Sequence, residues 1–193
     1  MIIGITGGTG CGKTTALQVF GDLGGAVLDC DKIYHRLLKD DPSLQAAIEN
    51  RFPGTVTDGL LDRKKLGSIV FSDRAALSDL NGITHSAVYK EIIHLMEGET
   101  RHIALDAIGL FEGNLASLCD HTVAVTAPEE SRVQRLIARE GVSEEYARAR
   151  IHAQRCQEEF VALCDYHLQN DGTEEQFRQK CLAFFNGLGI IRA

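Results

Sequence analysis

Short apolar runs alternate with helical repeats along this chain. The apolar runs that predict strands cover residues 1–6, 26–29, 102–106, 121–125 and 166–169. Between these runs, apolar side chains recur at helical spacing, most clearly in the segments 13–23 and 174–185. Strands that alternate with helices indicate a parallel sheet covered by helices on both faces. The pattern therefore predicts an α/β protein with a three-layer α/β/α fold and a parallel sheet of about five strands.

Residues 40–98 interrupt this alternation. Three segments, 43–51, 62–71 and 73–97, carry helical patterns, whereas strand patterns are weak there. The apolar stripe of the third segment is typical of a helix that packs against a core. We therefore expect a single domain over residues 1–193 with a helical insertion at 40–98 that binds an acceptor.

The second half of the chain adds further helix predictions. Residues 111–119 predict a helix, and Pro128 suits the first position of the next one. Ser143, followed by two glutamates, predicts an N-cap. The polar, arginine-bearing stretch at about 139–156 predicts a lid that closes over a phosphate site.

Charge and composition exclude several classes of function. The formal net charge is −7, which argues against non-specific binding to nucleic acids or anionic membranes because both need a basic surface. No apolar run approaches the length of about 20 residues that crosses a bilayer, and we expect a cytoplasmic protein. The 6 cysteines form no C-x-x-C pair and the 7 histidines no ligand spacing, which predicts free thiols and no protein-held zinc.

Residues 7–14, Gly-Gly-Thr-Gly-Cys-Gly-Lys-Thr, match the Walker A phosphate-binding loop in full. The strand before the loop and the helix after it are the context that this motif requires. Glycines let N–H groups turn into one concavity that binds phosphate at the helix N-terminus. We expect Lys13 to act on the outer phosphates of ATP as a catalytic residue and the Thr14 hydroxyl to bind Mg²⁺. The predicted nucleotide contacts are Gly8, Thr9, Gly10, Cys11, Gly12, Lys13, Thr14 and Thr15.

Carboxylates at strand ends are candidates for chemistry. Asp29 and Asp31 follow the second predicted strand, which we take as the neighbour of the first, so that they would meet the transferring phosphate. Transfer to an alcohol needs a carboxylate that accepts the hydroxyl proton. Asp31 suits that role and, equally, the role of N-cap for a helix at about 32–39. Asp106 ends a later strand and is expected to hold a water of the Mg²⁺ shell.

Three arginines, Arg132, Arg135 and Arg139, share one face of a predicted helix. Such a face is often a solvated surface, but phosphoryl transfer needs cations that neutralise the transferring group. We favour Arg139 as catalytic because it heads the predicted lid. Glu112, just past the strand that Asp106 ends, is either a functional acid or the first acid of a helix.

Taken in order, these motifs resemble the dephospho-coenzyme A kinase family over nearly the whole chain. The resemblance is carried by residues 4–14, by Leu23-Gly24 and Val27-Leu28-Asp29-Cys30-Asp31, by Leu61-Asp62-Arg63, Val70-Phe71, Leu80-Asn81 and His85, by Leu105-Asp106 and Leu110-Phe111-Glu112, and by Arg150-Ile151-x-x-Gln154, Asp165 and Asn170-x-Gly172. It implies a P-loop kinase fold and transfer of the γ-phosphoryl group of ATP, with Mg²⁺, to the ribose 3′-hydroxyl of dephospho-coenzyme A.

The resemblance also assigns roles to residues. It implies Asp31 as the catalytic base, and it implies that the segment around 40–98 holds the acceptor. The residues that match its acceptor side are His85, Leu110 and Glu112, and the turn of Asn170 and Gly172 is implied to lie near the adenine of ATP.

Four positions depart from the family pattern, and they leave alternatives open. Prolines of the family are replaced at Ser86 and in Ile108-Gly109, and Phe160 stands where a lysine is usual. A P-loop kinase for another small hydroxyl or nucleotide acceptor is one alternative, and a non-catalytic ATP-binding regulator is another. The position of Cys11, at a helix N-terminus beside Lys13, raises the hypothesis of a reactive thiol, which the sequence leaves open.

Overall fold

The computed structural model of the protein describes residues 1–57 and 59–190 and resolves them into two compact units. Of these residues, the first unit contains 1–28, 100–111 and 115–190, and the second contains 29–57, 59–99 and 112–114. In chain order the elements are β1 (Ile2–Thr6), α1 (Lys13–Asp22), β2 (Ala26–Asp29), α2 (Cys30–Asp40), α3 (Pro42–Arg51), β3 (Val56–Thr57), β4 (Leu60–Leu61), α4 (Arg63–Val70), α5 (Arg74–Met96), β5 (Ile103–Asp106), a 3₁₀ helix (Leu115–Leu118), β6 (His121–Thr126), α6 (Glu129–Glu140), α7 (Glu144–His152), α8 (Gln157–Leu163), β7 (Tyr166–Gln169) and α9 (Glu174–Gly187).

The five strands predicted from the apolar runs form one sheet, in the order β2-β5-β1-β6-β7. The pairs of β1 with β5, of β1 with β6 and of β6 with β7 are parallel. β1 lies in the centre with Ile3 and Ile5 fully buried, which explains why its sequence is apolar without alternation. The predicted α/β fold with a parallel sheet of about five strands is confirmed.

The predicted neighbour relation of the first two strands is wrong. β5 lies between β1 and β2, and β2 is at the edge of the sheet. The half-exposed residues of β2 agree with an edge position. Chain order does not fix sheet order, because a crossover can pass over a position that a later strand fills. Asp29 and Asp31 therefore follow an edge strand and not the strand next to the loop, so sheet order does not support their role.

The main core of the first unit lies between the sheet and the helices α1 and α9. Phe20 of α1 meets Phe185 of α9 edge to face, with ring centroids 5.3 Å apart. Both rings are fully buried. The helix predicted at 174–185 is therefore confirmed as α9, and its apolar stripe closes one face of the sheet.

Two details of the predicted helices are wrong. The segment 111–119 forms turns and a single 3₁₀ helix, because Asn114 has a left-handed φ of 55° that an α-helix does not accommodate. Pro128 is the N-cap of α6 and does not occupy its first helical position. The predicted N-cap at Ser143 is confirmed, since its hydroxyl accepts a hydrogen bond from the Tyr146 N–H at 3.2 Å.

The described residues of the second unit form four helices and a short hairpin. α5 packs against α2, α3 and α4, and its buried side chains include Val88 and Ile92 of the predicted apolar stripe. The hairpin of β3 and β4 was not predicted, because strands of two residues are too short to show a period. The predicted insertion at 40–98 falls inside this unit, which also contains α2.

Asp29, and not Asp31, caps α2. The Asp29 carboxylate accepts the Lys32 N–H at 2.9 Å. Burial raises the pKa of Asp29, but the hydrogen bonds and the charge of Lys32 outweigh that effect and hold this pKa below its ordinary value. Asp31 lies in the first turn with an exposed side chain. The alternative interpretation of Asp31 as the cap is therefore wrong.

Candidate active site

The phosphate-binding loop connects β1 to α1 in the first unit. Gly7 follows the last residue of β1, and Gly12 is the N-cap of α1 with a left-handed φ of 106°. A Cβ atom at Gly7 would lie 2.2 Å from the carbonyl oxygen of Val125, so only glycine allows β6 to pass this close. The strand, loop and helix predicted around residues 7–14 are therefore present with the backbone geometry of a phosphate nest.

Lys13 and Thr14 open α1. The ammonium of Lys13 donates to the Gly7 carbonyl at 2.8 Å, which bends the side chain back across the loop. The Thr14 side chain is exposed. Asp106 ends β5 and is paired in register with Ile5, one residue before the end of β1. The predicted Mg²⁺ residues thus begin one helix and end the strand beside β1.

Three side chains from outside the loop hold its carbonyl groups. Nε of Arg132 donates to the Thr9 carbonyl at 2.9 Å, and Nη1 of Arg135 donates to the Gly10 carbonyl at 3.0 Å. Nδ2 of Asn170 donates to the Cys11 carbonyl at 2.9 Å. In a trans peptide the N–H of the next residue points away from the carbonyl. The three tethers therefore turn the N–H groups of the following residues to the opposite side of the loop backbone.

A fourth side chain reaches a loop N–H. Oε1 of Gln154 accepts the N–H of Thr9 at 2.8 Å, so both polar backbone groups of Thr9 are held from outside the loop. The resemblance had placed Gln154 in a motif without a role. Of the arginine face, Arg132 and Arg135 contact the loop, whereas the favoured Arg139 does not contact it in this structure.

Arg139 lies at the end of α6, where its guanidinium bonds the carboxylate of Glu140. α7 packs against α6 through Val133 and Leu136 on one side and Ala147 and Ile151 on the other, all of them buried. The segment predicted as a lid thus contributes the end of α6 and all of α7 to a helical hairpin that has a small apolar core. The catalytic role of Arg139 and the closure of residues 139–156 stay predictions.

Several predicted nucleotide and acceptor residues have other surroundings than expected. Asn170 is buried and supports the loop backbone, whereas Gly172 is exposed. Leu110 is fully buried, and its side chain would lie 2.8 Å from a Cβ atom on Gly4, so this side chain offers no surface to an acceptor. Phe160, which replaces the usual lysine, is buried in α8 and serves packing.

The remaining acceptor residues belong to the second unit. Asp31 is exposed in α2, His85 is half-buried in α5, and Glu112 lies in the short segment 112–114. Ser86 continues α5 without interruption, since serine supplies the N–H that the proline of the family lacks. The acceptor roles of Asp31, His85 and Glu112 stay predictions.

The position of Cys11 argues against the hypothesis of a reactive thiol. Its side chain is only 1% exposed, and a reactive thiol needs access as well as an electropositive surrounding. All 6 cysteines are free, as expected from their spacing. Cys156, at the start of α8, is exposed.

A parallel sheet with a tethered Walker A loop defines a P-loop kinase fold, as in a shikimate kinase structure from Bacteroides thetaiotaomicron (TM-score 0.60, 14% identity, 98% of both chains). The dephospho-CoA kinase family model matches residues 1–176, and this chain belongs to that family. The dephospho-CoA kinase of Carboxydothermus hydrogenoformans is 41% identical over 94% of this chain and 91% of the relative.

Three further proteins are similar to this chain. The yeast dephospho-CoA kinase CAB5 is 37% identical over 90% of this chain and 76% of its own length. The crystal structure of TT1252 from Thermus thermophilus has a TM-score of 0.80 at 33% identity, with 97% of both chains covered. The dephospho-CoA kinase structure from Campylobacter jejuni has a TM-score of 0.67 at 25% identity, covering 97% of this chain and 96% of the other.

The burial of Cys11 predicts that its thiol is alkylated slowly. Iodoacetamide applied to the native protein should label the exposed Cys156 well before Cys11, as measured by peptide mass spectrometry over time. Denatured protein, in which both thiols are accessible, is the control. Equal labelling rates for Cys11 and Cys156 in the native protein would contradict the buried position of the loop thiol.

Proposed function

We propose that this protein transfers the γ-phosphoryl group of ATP to the ribose 3′-hydroxyl of dephospho-CoA and releases CoA and ADP. The observation that carries the proposal is the Walker A loop whose carbonyls are tethered by Arg132, Arg135 and Asn170. Membership of the dephospho-CoA kinase family supports the choice of acceptor. A cytoplasmic location belongs to the same proposal.

In this proposal the loop binds the phosphates of ATP. The N–H groups of Gly10 and Gly12, turned by the tethered carbonyls, and those at the start of α1 supply donors in a fixed direction. The ammonium of Lys13 leaves the Gly7 carbonyl and pairs with the outer phosphates. Positioned donors of this kind stabilise charge without reorganisation at the moment of reaction.

The residues proposed for the magnesium site suit an ion that takes few ligands from the protein. Among the residues that the structure describes, no group of three or more His, Cys, Asp or Glu side chains could enclose a metal ion. Mg²⁺ in phosphoryl transfer needs no such cage, because it takes most of its ligands from phosphates and waters. The exposed Thr14 hydroxyl and Asp106 would hold it, directly or through water. When bound, Mg²⁺ neutralises charge on the transferring phosphoryl group.

The acceptor chemistry is assigned to side chains of the second unit. Asp31 orients the ribose 3′-hydroxyl and accepts its proton as the new phosphate ester forms. Its exposed carboxylate is not consumed by the cap of α2, because Asp29 has that role. His85 and Glu112 are proposed to bind the acceptor, and Arg139 to approach the transferring phosphate when residues 139–156 close.

The reaction itself is tested with purified protein, ATP, Mg²⁺ and dephospho-CoA. We expect ADP and CoA in equal amounts, with ADP followed by a coupled assay and CoA by mass spectrometry. A dephospho-CoA analogue that lacks the 3′-hydroxyl is the matched control and should give only background ADP. ADP formation that does not depend on dephospho-CoA would contradict the proposal, and a panel of nucleosides and nucleotides would then identify another acceptor.

The role of Asp31 is tested by Asp31→Asn. Removal of the proton acceptor should lower turnover by about 10²-fold or more while the affinity for ATP is unchanged. Asp40→Asn, on an exposed acid at the other end of α2, is the matched control and should retain turnover. Turnover of Asp31→Asn that equals that of the wild type would exclude Asp31 as the base.

A further inference from the structure

Both polar backbone groups of Thr9 form hydrogen bonds with side chains from outside the loop. Its carbonyl accepts Nε of Arg132 at 2.9 Å, and its N–H donates to Oε1 of Gln154 at 2.8 Å. Arg132 lies in the first turn of α6, and Gln154 follows α7 directly. Both polar groups of one loop residue therefore depend on the α6–α7 hairpin.

The guanidinium of Arg132 is buried and unpaired. The residue is 3% exposed, and Nη2 has no hydrogen-bond partner among the residues that the structure describes. The nearby Glu129 is bonded to Arg148 and His152 and not to Arg132. Burial lowers the pKa of Arg132, but an arginine side chain stays charged in a protein. The charge of Glu129 attracts Arg132 without a bond to it, but burial outweighs this attraction. A buried cation without a bonded counter-charge is costly, so its retention calls for an explanation.

Two glycines of the loop leave the space that Arg132 occupies. A Cβ atom at Gly8 would lie 2.3 Å from Nη2 of Arg132 and 3.2 Å from Oε1 of Gln154. A Cβ atom at Gly10 would lie 2.9 Å from the Arg132 carbonyl oxygen. The loop backbone is therefore packed directly on Arg132, and the unpaired charge lies against the peptide that precedes Thr9.

We propose that Arg132 and Gln154 are positioning residues of the phosphate-binding loop: together they fix the peptides on both sides of Thr9, and the unpaired guanidinium of Arg132 supplies a positive charge behind the loop that is balanced when the phosphates of ATP bind. The bound triphosphate then adds to the attraction of Glu129 and balances the charge of Arg132. The inference rests on the proposed function only in that the loop binds ATP, and it concerns residues that act through the loop backbone.

This role predicts a loss of binding that depends on the number of phosphates. A charge behind the loop and a fixed loop backbone act on the phosphate chain and leave the nucleoside unaffected. Arg132→Met keeps most of the volume of the side chain but removes both the charge and the Nε donor. It should weaken ATP binding by at least about tenfold and AMP binding by less than about threefold, as measured by calorimetry without acceptor.

Folding and binding are separated by two further measurements. Arg132→Met removes a buried charge without an ion pair but leaves the Thr9 carbonyl without its donor. These two effects oppose each other, so the melting temperature of the ligand-free protein should be nearly unchanged, whereas the rise on adding ATP should shrink. Arg178→Met removes a surface arginine that pairs with Asp22 and is the control, with wild-type affinities for both nucleotides. If Arg132→Met does not fold, Arg132→Lys is measured in its place, with ATP binding weakened by about threefold and AMP binding unchanged.

Gln154 is tested by Gln154→Glu. The new carboxylate still accepts the Thr9 N–H, but it adds a negative charge beside Gly8, where Nη2 of Arg132 lies. The ratio of the ATP and AMP dissociation constants should rise as in Arg132→Met. An unchanged ratio in the arginine variant and in Gln154→Glu overturns the inference. A wild-type protein that binds ATP but forms no CoA would instead defeat the proposed function and leave this inference intact.

Discussion

The direction of the peptide groups in the loop is the constraint on which the rest of the site depends. Backbone N–H groups bind phosphate only if successive peptides turn the same way, and a glycine-rich segment has no preference of its own for that arrangement. The carbonyls of Thr9, Gly10 and Cys11 are each held by a side chain from α6 or from the end of β7. The sheet order matters to function because it brings those elements beside the loop.

The order of strands and helices in the first unit brings the tethering side chains to the loop. β6 and β7 are parallel neighbours on one side of β1, so the residues after them reach the loop that follows β1. Asn170 comes directly after β7, and α6 begins shortly after β6. α7 is joined to α6 by a small apolar core, which keeps Gln154 in reach of Thr9.

None of the helices in the described residues is long and apolar enough to cross a membrane.

The sequence predicts this fold well where a signal is local and long. β1, the loop and α1 combine an apolar run, a motif and a helical repeat, and all three were predicted. Sheet order, by contrast, is set by contacts between distant residues, so β2 was misplaced beside β1. The periodicity of residues 132–139 predicts a shared arginine face, but it does not show that Arg132 and Arg135 are the arginines that bond the loop carbonyls. The catalytic role of Arg139 stays a prediction. Gln154 appeared only as part of the family motif, because its bond to Thr9 joins residues far apart in the chain.

We infer that the side-chain tethers hold the loop in its phosphate-binding form before ATP binds. Backbone ¹⁵N relaxation of the ligand-free protein measures this most directly at Gly10, Cys11 and Gly12. With the carbonyls tethered, these amides should have order parameters of about 0.85, as in a rigid backbone. Values below about 0.6 for these three amides, as in a flexible loop, would contradict the claim, because the side-chain tethers would then fail to fix the peptides.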